Sequence, residues 1–334
     1  MKTTARSALA PAALLAALAL SACQTNPATG RSQLFAISRS QEIEMGTSAM
    51  PSMISENGGK VNSAAAQAYV AGIGRSLAAQ TEADNPGLPW EFTLLDTPEV
   101  NAFAMPGGKV FVARGLAEKL TNEAQLAGVL GHEIGHVTAR HISSQIAKQT
   151  GVQVGAAILG AGVAAVAGQK NQTTAAAAGT LITVGGQLVT LRFSRDQEAE
   201  ADHLGLRYMA KLNYDPAAMD QVMVVLEQEM GSGRQPELLS THPDPANRRK
   251  NIAQELRTAY KGTQNNPQYV LKEQEYRAGL LNVLRGLPAP RGGQQRGDAG
   301  ETGLGADRAF ALGRPETWCA HCAPEAGARV DAAR

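Results

Sequence analysis

His132-Glu133-Ile134-Gly135-His136 sets two imidazoles four residues apart, with a carboxylate beside the first. On a helix, positions i and i+4 share a face, so both rings can direct a nitrogen at one metal ion. Glu133 emerges about 100° around the axis from His132 and reaches towards a water at an open metal position rather than the metal itself. Zinc lowers the pKa of such a water towards about 7 and polarises a carbonyl oxygen, so attack on a peptide bond needs no protein nucleophile. These types and spacings predict a hydrolytic site with one Zn2+ per chain, in which His132 and His136 are ligands and Glu133 is the general base.

A helix must carry this pentapeptide, and residues 121–149 supply one. Leu126, Val129, Leu130 and Ile134 recur at helical spacing, and Thr121 or Asn122 stands ready as N-cap. A catalytic zinc commonly takes three protein ligands. Completion along the same helix as H-E-x-x-H-x-x-G-x-x-H fails, because Ala139 and Ile142 stand where the glycine and the histidine would be. His141 falls one residue short, about 100° off on a straight helix, and reads as a surface residue or a neighbour of a ligand. A later helix over residues 195–212 offers carboxylates instead. Glu198 and Asp202 share one of its faces, while Glu200, about 200° from Glu198, points elsewhere.

The two motifs together, H-E-x-x-H and then E-x-x-x-D, resemble the HtpX, Oma and CAAX prenyl protease family of gluzincin metallopeptidases. That resemblance implies Glu198 as third zinc ligand and Asp202 as the carboxylate orienting a ligating histidine. It extends over roughly residues 24–260. Asn26-Pro27-Ala28-Thr29-Gly30 is similar to the N-P-x-T-G segment of the LoiP- and BepA-like periplasmic lipoprotein branch. The chain departs from BepA-like members in having one or two helices, not a helical repeat array, before its last segment. Asn101-Ala102-Phe103-Ala104 looks like the family's strand before the metal helix, which implies pairing with an extended substrate. A merely structural edge strand fits those four residues equally well. Thr241-His242-Pro243, with Arg248 five residues beyond Pro243, resembles the family's T-H-P-x-x-x-x-R element. By resemblance, His242 is a fourth ligand that keeps the site latent, and Arg248 holds the loop or the reaction's oxyanion.

The rest of the chain frames this site. A net charge of +1, scattered Lys and Arg and 4% aromatic residues argue against nucleic acid as a partner. The start reads as an export signal, with Lys2 and Arg6 before an apolar Ala8–Leu20. Leu20-Ser21-Ala22-Cys23 resembles a lipobox, implying lipidation of Cys23, and Gln24 favours the outer membrane. Residues 24–37 read as a tether, 38–285 as the metallopeptidase domain and 286–334 as a disordered tail. Cys319 and Cys322 lie in that tail, where they can bind metal, pair, or be incidental.

Ser38 and Gln41 predict a capped helix to Met50, broken by Pro51, and residues 61–80 an amphipathic helix. Three strands follow, Trp90–Leu95, Asn101–Ala104 and Lys109–Ala113, with Pro106-Gly107-Gly108 as a turn. Residues 151–168 and 174–191 are rich in Ala and Gly. Packed helices beside the site, a flap at the membrane surface and a transmembrane hairpin are all open readings there. Residues 216–230, 246–260 and 268–285 complete the helices. The fold class is thus α+β and mainly helical, zincin-like, with a small sheet beside the H-E-x-x-H helix.

The function expected is a zinc metalloendopeptidase on a lipid anchor at the periplasmic face of the outer membrane, cutting unfolded or misassembled envelope proteins. The outer-membrane assembly machinery is a possible partner. The alternative is a chaperone or assembly factor whose zinc is structural and closed by histidine.

Overall fold

The computed structural model describes residues 23–34, 37–81, 87–146, 148, 192–233 and 236–291. The readings made for residues 1–22, for the Ala/Gly-rich stretches and for Cys319 and Cys322 lie outside the described residues. Among the described residues no helix is long and apolar enough to cross a membrane.

The chain opens on a hairpin, β1 (Cys23–Thr25) antiparallel to β2 (Ser32–Leu34). The segment read as a tether is therefore partly a folded element, with Asn26 and Ala28 buried. Helix α1 (Arg39–Glu56) starts at the expected box, in which Ser38 and Gln41 cap each other's backbone. It does not stop at Met50 but runs through Pro51, because Gly46, Met50 and Met53 form one buried stripe across the proline. Packing outweighs the hydrogen bond that the proline cannot donate. Helix α2 (Ala64–Ala78) follows, capped by Ser63, with Val70, Ile73 and Leu77 inward.

Three strands form one sheet in the order β3 (Glu91–Leu95), β5 (Lys109–Ala113), β4 (Ala102–Met105). Strand β5 is central, parallel to β3 and antiparallel to β4. Strand β3 does not alternate as its sequence suggested. Phe92 to Leu95 are all buried, because α2 packs on the sheet as well. Gly107 and Gly108 make the β4–β5 turn at φ +75° and +81°, values that favour glycine. A Cβ on Gly107 would also lie 2.5 Å from the Cα of Ile43 in α1.

After the short helix α3 (Arg114–Ala117) comes the central helix α4 (Glu123–Thr138), buried along its whole length and capped by Asn122. It ends well before residue 149. Ala139 is its C-cap, Arg140 turns left-handed at φ 56°, and a separate helical run begins at residue 141. The guanidinium of Arg140 secures this break by donating to Glu42 Oε1 (2.8 Å) and to the Ile37 carbonyl (2.8 Å).

Helix α5 (Arg195–Lys211), boxed by Ser194 and Gln197, packs along α4 more extensively than any other helix. Their axes approach through small residues. A Cβ on Gly135 would lie 2.8 Å from the carbonyl oxygen of Ala201, and one on Gly205 3.0 Å from the His132 nitrogen. Helix α6 (Ala217–Gly231), the turn α7 (Leu238–Thr241) and helix α8 (Pro245–Arg257) close over the other side. Residues 268–285, expected as one helix, form helical pieces only from Glu273, with a π segment over Arg277–Leu281. The described chain continues past Arg285 to residue 291, and Arg114 donates to the carbonyls of Leu284 (2.8 Å) and Pro288 (2.7 Å) on either side of it.

Candidate metal centre

Helix α4 supplies His132, Glu133 and His136, α5 supplies Glu198 and Asp202, and the junction of α7 and α8 supplies His242 and Arg248. All seven are buried. One ligand atom from each of His132, His136, Glu198 and His242 falls within a cluster no wider than 4.8 Å. Nε2 of His132 lies 3.0 Å from Nε2 of His136 and 3.1 Å from Nδ1 of His242. Glu198 Oε1 lies 3.0 Å from His242 Nδ1 and 3.3 Å from His136 Nε2.

These spacings suit a small cation. Four N and O ligands about 2.0–2.1 Å from zinc stand about 3.3 Å apart at the corners of a tetrahedron. Donor chemistry agrees. His132 Nδ1 lies 2.8 Å from Asp202 Oδ1, an acceptor, so its proton sits there and its Nε2 offers a lone pair towards the equally directed Nε2 of His136. Where both rings turn lone pairs inward, a shared cation satisfies the 3.0 Å contact. The grouping of charges points the same way: three buried carboxyl groups, Glu133, Glu198 and Asp202, gather around one buried guanidinium, Arg248.

Burial pushes the His136 imidazole well below its ordinary pKa, which leaves it neutral as a ligand must be. Burial alone would raise Glu198, but His242 and Arg248 outweigh it and hold the carboxyl well below the usual range. Burial would likewise lower His242, yet Glu198 and Glu133 carry it above its ordinary value. The pocket thus favours positive charge next to those carboxylates.

Arg248 grips Asp202 with two donors, Nε to Oδ2 at 2.9 Å and Nη2 to Oδ1 at 2.6 Å, and its Nη1 lies 3.0 Å from Glu198 Oε2. These contacts tie α8 to two carboxylates of α5. Glu133 is 1% exposed, and its Oε1 accepts no hydrogen bond from the described residues. A cavity of about 20 Å³ beside it, lined by Val129, Met219, Met223 and Leu238 among others, has room for a water.

Strand β4 lies at the edge of its sheet and packs against α4. The Ala113 nitrogen donates to the Asn101 carbonyl at 2.9 Å. Antiparallel alternation then pairs Phe103 with Phe111 and turns the backbone groups of Ala102 and Ala104 to the free edge.

Three contributors were not singled out as site residues from sequence. His141, expected at the surface or beside a ligand, is 1% exposed and places Nδ1 2.9 Å from Nδ1 of His136. Glu200 does point away from Glu198, and it meets His141 Nε2 at 3.0 Å. Phe193 lays its ring 3.9 Å, centroid to centroid, from that of His136 and 5.2 Å from that of His242. The positive φ of Arg140 was the hidden step, since it redirects His141 from where a straight helix would put it.

A buried H-E-x-x-H helix, packed along a helix bearing Glu198 and flanked by a small sheet, defines a metallopeptidase domain. Residues 64–256 match the sequence profile of Peptidase family M48, and the chain belongs to that family. It is 33% identical over 231 residues to the beta-barrel assembly-enhancing protease of Escherichia coli (strain K12), spanning 67% of this chain and 45% of that one. It is 33% identical over 168 residues to the mitochondrial metalloendopeptidase OMA1 of Arabidopsis thaliana, spanning 50% and 32%. OMA1 of Danio rerio is 34% identical over 177 residues, spanning 51% and 36%. The chain thus spans less than half the length of these curated relatives.

Proposed function

We propose that the protein is a zinc metalloendopeptidase in which His132, His136 and Glu198 hold the ion and Glu133 is the general base. The single observation that carries this reading is a buried Glu133 carboxyl group, whose Oε1 accepts no hydrogen bond from the described residues, set beside four converging ligand atoms. Zinc bound there polarises a peptide carbonyl and acidifies a water. Glu133 takes the proton from that water and passes it to the leaving amine. Asp202 keeps the proton of His132 on Nδ1, and Arg248 keeps Asp202 ionised. The outward backbone edge of β4 at Ala102 and Ala104, within the run Asn101-Ala102-Phe103-Ala104, offers an extended substrate a strand to pair with.

His242 occupies the fourth corner, where an attacking water and a substrate carbonyl would have to enter. We read it as a latch whose withdrawal opens the site. This closure is also the observation that favours a second reading, a chaperone or assembly factor with a four-coordinate structural zinc. The buried base Glu133 favours the peptidase, since a structural site needs none.

The lipobox-like Leu20-Ser21-Ala22-Cys23 supports a lipoprotein at the periplasmic face of the outer membrane, and the name of the Escherichia coli relative, a beta-barrel assembly-enhancing protease, supports a role towards β-barrel proteins. Unfolded or misassembled envelope proteins would be its substrates, and the outer-membrane assembly machinery a partner. The deciding experiment compares cleavage of an unfolded outer-membrane β-barrel protein by wild type and Glu133→Gln at equal zinc content. Loss of cleavage in the variant is expected, and retained cleavage would overturn the mechanism.

A further inference from the structure

Beyond its metal-facing atom, His136 has a second nitrogen, and that nitrogen begins a chain of polar contacts leading out of the site. If Nε2 faces the ion, the proton of neutral His136 resides on Nδ1 and is donated to Nδ1 of His141 at 2.9 Å. That contact makes Nε2 of His141 the protonated one, and it donates to Glu200 Oε2 at 3.0 Å. Glu200 Oε1 in turn accepts from Nη1 of Arg31 at 3.1 Å. With both rings neutral, every donor meets an acceptor in the assignment that leaves His136 Nε2 free for metal.

Arg31 belongs to the segment joining β1 to β2, and that segment is docked rather than loose. Asn26, 1% exposed, donates from Nδ2 to the carbonyl of Thr138 at 2.9 Å, one of the last carbonyls of α4 left without a helical donor. Its own Oδ1 accepts from the Ala28 nitrogen (2.9 Å), and Arg207 donates to the Ala28 carbonyl (3.1 Å). The hairpin therefore holds the metal helix at two places, at the backbone end of α4 and, through Glu200 and His141, at the ring of His136.

We propose that Arg31, Glu200 and His141 act as a positioning relay for His136, so that docking of the N-terminal hairpin sets the metal affinity of the site. This rests on the zinc reading above. Its consequence for function is spatial: the hairpin begins at Cys23, so whatever pulls on that end bears on a metal ligand two contacts beyond Arg31's carboxylate partner.

The test is zinc affinity, measured on the full chain by chelator competition, alongside the thermal midpoint of the metal-free protein. His141→Leu should weaken zinc binding about 10- to 100-fold, the usual effect of losing a partner of a metal-ligating histidine. His141→Asn, whose side-chain oxygen can take the place of the acceptor Nδ1, should recover most of that loss. Glu200→Gln and Arg31→Ala should each weaken binding less, and the double variant should bind no more weakly than Glu200→Gln alone, because both cut the same chain.

Zinc affinity of His141→Leu within twofold of wild type would overturn the relay. So would equal losses in the Leu and Asn variants that track a fall in the metal-free thermal midpoint, or additive losses for Arg31→Ala and Glu200→Gln. If wild type and His132→Ala bind zinc equally weakly, the metal reading itself fails, a result distinct from each of these.

Discussion

Nε2 of His242 lies 3.7 Å from Oε1 of Glu133, so the closing histidine and the proposed base share one small space. With Nδ1 of the same ring 3.0 Å from Glu198, His242 bridges the third ligand and the base. Its loop is pinned by Arg248 on Asp202 and by Asp244, which caps α8 from a left-handed φ of 65°. If His242 is the proposed latch, its opening must break buried contacts at several points.

Removing the latch should therefore speed turnover. His242→Ala is expected to raise cleavage of an unfolded substrate, or autolysis, over wild type at equal zinc content. A time course on gels reads this directly, and an unchanged rate would remove the latch role.

The base is separable from the ligands. Glu133→Gln keeps the size of the side chain but cannot take a proton, and should lower cleavage at least about 100-fold. Zinc content, read by atomic absorption, should stay at one per chain.

Asp202 should matter to metal rather than to proton transfer. Its loss frees both the His132 Nδ1 proton and the Arg248 guanidinium, two buried donors. Asp202→Ala is expected to weaken zinc binding about 10- to 100-fold. Chelator competition would show it, and wild-type affinity would argue that Arg248 alone orders the site.

Close approach of α4 and α5 can be tested without touching a ligand. A methyl group at Gly135 would meet the Ala201 carbonyl oxygen at 2.8 Å, forcing the helices apart. Gly135→Ala should destabilise the protein by about 1–3 kcal/mol and loosen zinc binding, because His136 and Glu198 sit on the separated helices. Denaturant unfolding with and without zinc separates the two effects.

Acid sensitivity should come in part from Glu123, away from the site. Lys272 Nζ and the Tyr214 hydroxyl donate to its Oε1 at 2.8 and 2.7 Å, and the Tyr69 hydroxyl donates to Oε2. Burial would raise this carboxyl, but the donors Lys272, Tyr69 and Tyr214 hold it below its ordinary value of 4.5. As pH falls the unfolded chain then binds the proton first. The stabilisation is present above pH 4.5 and is lost as pH falls through the lower folded value. Glu123→Gln should cost about 2 kcal/mol at neutral pH, and the difference from wild type should shrink in acid. A pH-independent difference in urea unfolding would contradict this.

Local pattern in the chain determined a great deal. The i, i+4 spacing of His132 and His136 dictates a shared helix face, and the same rule separates Glu198 and Asp202 from Glu200 on α5. Caps at Ser38 and Asn122 and the Gly107-Gly108 turn were legible because they are contacts over two to four residues. Tertiary structure decided what depends on packing between distant segments. Helix α1 crosses Pro51 because its buried stripe continues on the far side, and β3 is buried from Phe92 to Leu95 because α2 covers it as well. The tether is a docked hairpin because Asn26 finds a carbonyl 112 residues away. His141 reaches His136 because Arg140, held by Glu42 and Ile37, turns left-handed. Periodicity reports which face a side chain takes along one helix, whereas a break in that helix is stabilised by partners from elsewhere, and these come together only in the folded chain.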